Sequence, residues 1–194
     1  MQEWWESRYQ ESHTPWDRER PSPALYHWLN AGRLRPGRVV IPGCGRGHEV
    51  IELARRGFTV TAIDIAPTPV AFLQRRLAEE KLPAKVVQAD LFKWCPSQPV
   101  DAVYDQTSLC AFAPSYWEHY VEQLYGWLRP GGELFVLFMQ TNREGGPPYH
   151  CGLGEMQRLF STERWRWPAA ADFEIPHPVG FVEQGYVLVR EPEG

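Results

Sequence analysis

Residues 38–49 read Arg38-Val39-Val40-Ile41-Pro42-Gly43-Cys44-Gly45-Arg46-Gly47-His48-Glu49, and the reading of this stretch decides the fold class. A short β-branched run meets three alternating glycines and then a helical pattern, the order strand, tight turn, helix. Alternating glycines let the chain turn sharply and let a ligand lie against the backbone with no Cβ in the way. The helix that follows offers free N–H groups to an anionic group. In open α/β sheets ligands bind beyond the carboxyl ends of the strands, and the first such turn is their usual anchor.

Working outward, the alternation repeats. The pattern predicts a helix over 49–56 stopped by Gly57, a strand over 58–63 ending on Asp64, a helix from Pro67 to about Leu82, and a strand over 85–88 before Asp90. Pro99 to Tyr104 is the fourth strand, reached by a connection too short for a full helix. A helix over 114–128 follows, then Leu128 to Gly132 as a turn launching a strand over 133–139. Beyond the Gly145-Gly146-Pro147-Pro148 loop come a helix over 153–160 and closing strands over 173–176 and 184–191. Ahead of the sheet, Met1 to Glu11 reads as an aromatic-rich helix, and Ser22 caps a second helix that enters with Pro23 and stops at Gly32. The expectation is a Rossmann-like, doubly wound α/β fold with a mostly parallel sheet and an antiparallel closing strand. Residues 1–36 would form an N-terminal lid and helix, and 37–194 the core of a single domain.

Composition narrows the function. The 194-residue chain carries a formal charge of -4, with no basic tract to attract phosphate backbones or anionic lipid, so small-molecule chemistry is favoured over nucleic acid. No stretch approaches the roughly 20 apolar residues of a membrane span, and none at the start has signal-peptide character, so a cytoplasmic, monomeric protein is expected. Cys44, Cys95, Cys110 and Cys151 are scattered, with no histidine at ligand spacing, which predicts neither a metal site nor a disulfide framework. Nine Trp and 13% aromatics leave rings over for lining a pocket.

Two acids sharpen the ligand. Asp64, 21 positions after Gly43, ends the second strand, where a carboxylate accepts both hydroxyl hydrogens of a ribose; Ile65 follows it. Asp90 ends the third strand with Leu91 beside it, an acceptor and an apolar wall for an adenine ring. His48 stands where a dinucleotide fingerprint requires its last glycine, so Gly43, Gly45 and Gly47 spell instead the G-x-G-x-G turn of S-adenosylmethionine enzymes. A nicotinamide or flavin oxidoreductase is the alternative from another class, and a non-catalytic cofactor-binding module is another. P-loop chemistry is excluded, because no G-K-[ST] follows.

The chain resembles the thiopurine and thiol (halide) methyltransferase family. The resemblance is carried by Trp5-x-x-x-Tyr9, Thr14-Pro15-Trp16-Asp17, the Pro42 to Glu49 turn, Asp64, Asp90-Leu91-Phe92, Asp101-x-x-Tyr104-Asp105, Pro130-Gly131-Gly132 and Gly145-Gly146-Pro147-Pro148-Tyr149. It implies a class I methyltransferase with S-adenosylmethionine bound by Trp5, Tyr9, Trp16, Gly43, Cys44, Gly45, Asp64, Ile65, Asp90, Leu91 and Asp105. It implies an acceptor pocket built from Trp16, Gln106, Trp117 and Tyr149, with Asp105 and Gln106 nearest the chemistry. Ring faces suit a sulfonium cation. The chain departs from its relatives at Tyr9, commonly Trp; at Gln106, commonly aromatic or small; and at Trp117, where several carry Arg. The acceptor expected is a small soft nucleophile such as a thiol, hydrosulfide or halide. His150 enters as a proton shuttle, and Arg164-Trp165-Arg166-Trp167 as a stacking surface for RNA, the motif behind a rival nucleic-acid or protein methyltransferase.

Overall fold

The computed structural model describes residues 1–192 of the chain, in two compact units, Met1–Trp94 and the unit that starts at Cys95. In the first unit the elements run α1 (Gln2–Gln10), α2 (Pro23–Asn30), β1 (Arg38–Pro42), α3 (His48–Arg55), β2 (Thr59–Asp64), α4 (Pro67–Glu80) and β3 (Ala84–Gln88). β1 and β3 both pair in parallel with β2, in registers that set Val40 beside Thr61 and Ala62 beside Val86. Parallel strands need crossover helices, and those helices bury their apolar faces here: Val50, Ile51, Leu53 and Ala54 from α3, Val70, Leu73 and Leu77 from α4. The α2 start follows its sequence signature, with Ser22 Oγ accepting from the Ala24 N–H and Pro23 in the first turn. Such a cap stabilises by about 1 kcal/mol. The Ser22 N–H in turn donates to Glu49 Oε1 at 2.9 Å, tying α2 to α3.

The second unit contains β4 (Val100–Asp105), α5 (Trp117–Trp127), β5 (Leu128–Gln140), α6 (Leu153–Leu159), β6 (Trp165–Arg166), β7 (Phe173–Pro176) and β8 (Val182–Arg190). β4 and β5 are parallel; β8 pairs antiparallel with β5, β6 and β7. The expected turn at 128–132 lies inside a longer strand. Its residues form a bulge, across which the partners step from Val100 with Leu128 to Ala102 with Glu133. Gly132 is needed there, because a Cβ would stand 2.8 Å from the Arg129 carbonyl oxygen.

The 164–167 stretch is corrected from a stacking surface to a packing element. Trp165 is 1% exposed and pairs with Arg190 in the sheet; Arg164 stacks on the Tyr125 ring and pairs with Glu122; the Trp167 indole N–H donates to the Phe160 carbonyl. The aromatic surplus is largely absorbed in this way: Phe138, Phe160, Trp167 and Tyr186 make one cluster of ring contacts at centroid distances of 5.4–6.5 Å. No helix among the described residues is long and apolar enough to cross a membrane.

Candidate active site

In the first unit the three glycines of the turn are each held in left-handed backbone, with φ of 56° at Gly43, 52° at Gly45 and 71° at Gly47. Two of these positions are also closed to a side chain by contact. A Cβ on Gly45 would lie 2.9 Å from the Tyr9 hydroxyl, and one on Gly47 would strike the Leu73 methyls. Asp64 sits beneath the turn, 7% exposed, and braces it: Oδ2 accepts from the Gly45 N–H and Oδ1 from the Ala66 N–H, each at 2.9 Å. A carboxylate has about four lone-pair directions, and the Gly45, Ala66 and Ile65 N–H groups bear on three of them. Burial raises the Asp64 pKa against the opposing backbone N–H bonds. Ile65 beside it is half-buried, and Cys44 within the turn is buried. Asp90 is half-buried past the end of β3, where its Oδ1 accepts from Phe92 N–H and starts a short 3-10 turn; Leu91 is buried against it.

The N-terminal segment reaches this turn. Trp16 meets Trp5 at 5.6 Å and Tyr9 at 6.0 Å, both edge to face, so the three expected rings form one group. The Tyr9 phenol is pushed up by burial and by the Asp64 charge, against a hydrogen bond with Trp16, and stays neutral. Two further ties, unread in the sequence, fix the segment. Glu6 accepts from the Thr68 N–H at the start of α4. Asp17 accepts from Arg46 Nη1 and pairs with His48 Nε2, both at 2.9 Å, spanning Gly47. Burial works against the Asp17 carboxylate, but bonds to His48, the Glu19 N–H and Arg46 outweigh it and bring its pKa to about 2. The only sequence signal for this clamp is Asp17, Arg46 and His48 standing in the two motifs. A cleft of about 550 Å³ opens beside it, lined by Glu19, Phe72 and Arg75 among others; neither Asp64 nor Asp90 is in it.

In the second unit β4 delivers Asp105 and then the Gln106-Thr107-Ser108 loop. Asp105 is 1% exposed and both of its oxygens are engaged. Oδ1 accepts from the Ser108 and Leu109 N–H groups at 3.1 and 3.4 Å, and Oδ2 from the Tyr120 hydroxyl at 2.8 Å. Burial raises its pKa to about 6, the three bonds opposing. Thr107 is β-branched yet has φ of 66°, and its Oγ1 donates to the Gln106 carbonyl at 2.6 Å. Strain of about 1–3 kcal/mol at such a residue persists only where neighbours over-determine it. The Gln106 side chain is half-buried and its Oε1 accepts from the Tyr104 hydroxyl.

Trp117 is 3% exposed, its indole N–H shared between the Leu109 and Phe112 carbonyls, so it anchors the start of α5. Tyr149 is half-buried, donates its N–H to the Cys110 carbonyl at 2.7 Å and lays its ring where a Cβ on Gly146 would be. The peptide bonds before Pro147 and Pro148 are cis. His150 departs from the shuttle reading: its Nδ1 accepts from the Thr141 and Asn142 N–H groups at 3.1 and 3.2 Å, which places the ring proton of the neutral form on Nε2 and makes that atom a donor. Cys110 and Cys151 are buried, and burial raises both thiols, Cys151 to about 12, so neither supplies a thiolate. Among the described residues no group of three His, Cys, Asp or Glu is placed to hold a metal ion.

Comparison with known proteins adds four findings. The family model for thiopurine S-methyltransferase matches residues 1–191. The probable thiol methyltransferase 2 of Arabidopsis thaliana is 34% identical over 161 residues, covering 80% of this chain and 70% of the relative. Thiocyanate methyltransferase 1 of the same plant is 32% identical over 178 residues, covering 90% and 78%. Among solved structures, the 1,6-didemethyltoxoflavin-N1-methyltransferase of Burkholderia thailandensis, with 1,6-didemethyltoxoflavin and S-adenosylhomocysteine bound, superposes with a TM-score of 0.78 at 17% identity, over 98% of this chain and 87% of that one. That likeness establishes the Rossmann-like methyltransferase fold.

Proposed function

From the premise that the chain belongs to the thiopurine S-methyltransferase family, and is therefore an S-adenosylmethionine-dependent methyltransferase, we propose that its acceptor is a small soft anion: a thiolate, hydrosulfide, thiocyanate or halide. The cofactor, when bound, supplies a methyl group activated on a sulfonium. The residues of the first unit fit it. The glycine turn is held in the left-handed backbone that brings its chain close to a ligand, Asp64 at the end of β2 is assigned to the ribose hydroxyls, and the Trp5, Tyr9 and Trp16 rings suit a sulfonium charge. Asp90 and Leu91 are assigned to the adenine, and Cys44 and Ile65 to the walls of the same site.

The acceptor side is assigned to the second unit, with Gln106 and Tyr149 turned to the substrate. Asp105 holds the loop that carries Gln106, and Trp117 contributes through the packing of that loop. One observation carries the choice of an anion: the two bases singled out in the sequence of this unit are both engaged, Asp105 by Ser108, Leu109 and Tyr120, and His150 Nδ1 by two backbone N–H groups. A nucleophile that arrives ionised needs no base. Its lone pair forms the bond to the methyl carbon as the sulfonium C–S bond breaks, the anion and sulfonium charges cancel, and a neutral methylated product and neutral thioether leave. The protein's part is positioning and exclusion of water, and desolvation favours a polarisable anion over a strongly hydrated oxygen.

A single catalytic domain over 1–194 is supported by a family match that runs across both units, and a monomeric, cytoplasmic enzyme that leaves nucleic acid alone accords with the acidic charge balance. Incubation with labelled S-adenosylmethionine and a panel of thiols, sulfide, thiocyanate, iodide, thiopurine, tRNA and protein tests the reading. Label is expected in the small sulfur or halide products; label confined to tRNA or protein overturns it.

A further inference from the structure

A glutamine amide has two ends of opposite character, a carbonyl that accepts and an NH2 that donates. In the structure the carbonyl end of Gln106 is turned to Tyr104. Tyr104 lies in β4 and Gln106 two positions on, just past the strand's end at Asp105, and Tyr104, 1% exposed, donates its hydroxyl hydrogen to Gln106 Oε1 at 3.0 Å. With the carbonyl held by the phenol, the NH2 is the end left at a half-buried position. The backbone of Gln106 is fixed as well. Thr107 in its left-handed conformation bonds back to the Gln106 carbonyl, and Asp105 grips Ser108 and Leu109 beyond it.

We propose that Tyr104 is a positioning residue that locks Gln106 as a neutral hydrogen-bond donor to the anionic methyl acceptor. The inference rests on the assignment of the second unit to the acceptor. A flipped amide would aim a carbonyl lone pair at an anion, whereas the locked one offers N–H hydrogens without adding a full charge. A neutral donor suits a nucleophile that must give up its electron pair, because a cation would hold that pair back more strongly.

The test is steady-state methylation of thiocyanate and of hydrosulfide by the full chain, as parent, Gln106→Leu, Tyr104→Phe, the double variant and Gln106→Glu. Gln106→Leu should raise the acceptor KM roughly 10- to 150-fold, the range for a hydrogen bond to a charged group, with the cofactor KM within about twofold of the parent. Tyr104→Phe should raise the acceptor KM roughly three- to tenfold, since the amide remains but is free to turn. Adding Tyr104→Phe to Gln106→Leu should raise it no further, because the tyrosine acts through the amide. Should Tyr104→Phe fail to fold, Gln106→Glu carries the test: it keeps an oxygen for Tyr104 while replacing the donor by a negative charge, and should cost more than Gln106→Leu.

Additive effects in the double variant, an equal rise in both substrates' KM with Tyr104→Phe, or an acceptor KM in Gln106→Glu no higher than in Gln106→Leu would overturn the proposal. If Gln106→Leu is costly and Tyr104→Phe is silent, the proposal falls while the acceptor assignment stands. If Gln106→Leu is silent, or the parent methylates neither anion, the acceptor assignment falls and takes the inference with it.

Discussion

Asp17 in the first unit and Asp105 in the second are both carboxylates largely removed from water, and their pKa values move in opposite directions. Asp17 faces a guanidinium and an imidazole, and ends at about 2; Asp105 faces two amides and a phenol, and ends at about 6. Neutral donors offset part of the cost of burying a charge, and cations offset all of it. The contrast separates the two units by the kind of group that meets each carboxylate. The first unit uses charge to fasten its N-terminal segment to the glycine turn, while in the second the loop after β4 is arranged by neutral groups around Asp105.

The largest expected effect is on stability against pH. Asp17, depressed from 3.8 to about 2, contributes about 2 kcal/mol that is present above pH 4 and lost as pH falls through 2. Asp105, raised from 3.8 to about 6, works the other way: its proton is held more tightly in the folded chain, so about 3 kcal/mol of stability is regained as pH falls from above 6 to below 4. Denaturant titrations of Asp17→Asn and Asp105→Asn across pH 2 to 7.5 should therefore lose slopes of opposite sign. Parallel curves for the two variants would erase the contrast.

A smaller effect is expected on the cofactor. Asp64→Ala removes an acceptor from the ribose and from Gly45 together, and should weaken S-adenosylmethionine binding roughly 10- to 150-fold, for a loss of about 1.5–3 kcal/mol. Calorimetry on a variant with parent-like circular dichroism decides this. An affinity within about twofold of the parent would remove Asp64 from the cofactor side.

The first unit was the more legible in the sequence, because much of it answers local demands. Gly45 and Gly47 must be glycine where the backbone is left-handed and a Cβ would meet Tyr9 or Leu73, and the Ser22-Pro23 start of α2 is written in adjacent residues. What stayed hidden there is long-range: Asp17 finds Arg46 and His48 29 and 31 positions on, and Asp64 reaches back 19 to Gly45. In the second unit nearly every candidate depended on such partners. Sequence marks Asp105 as a strand-end acid but not that Tyr120 occupies it, and marks His150 but not that two backbone N–H groups claim Nδ1. The 128–132 turn and the 164–167 stretch misled for the same reason, since a bulge and a short strand are defined by the strand across from them.

The central claim is that the second unit supplies no base and the acceptor arrives as an anion, and the pH dependence of kcat/KM for two acceptors tests it most directly. Between pH 7 and 9.5 thiocyanate is an anion throughout, whereas a simple thiol ionises near 8.5. The account predicts a flat profile for thiocyanate and, for the thiol, a rise that follows the thiol's own ionisation. A thiol profile already level at pH 7, governed by a group on the enzyme, would contradict it.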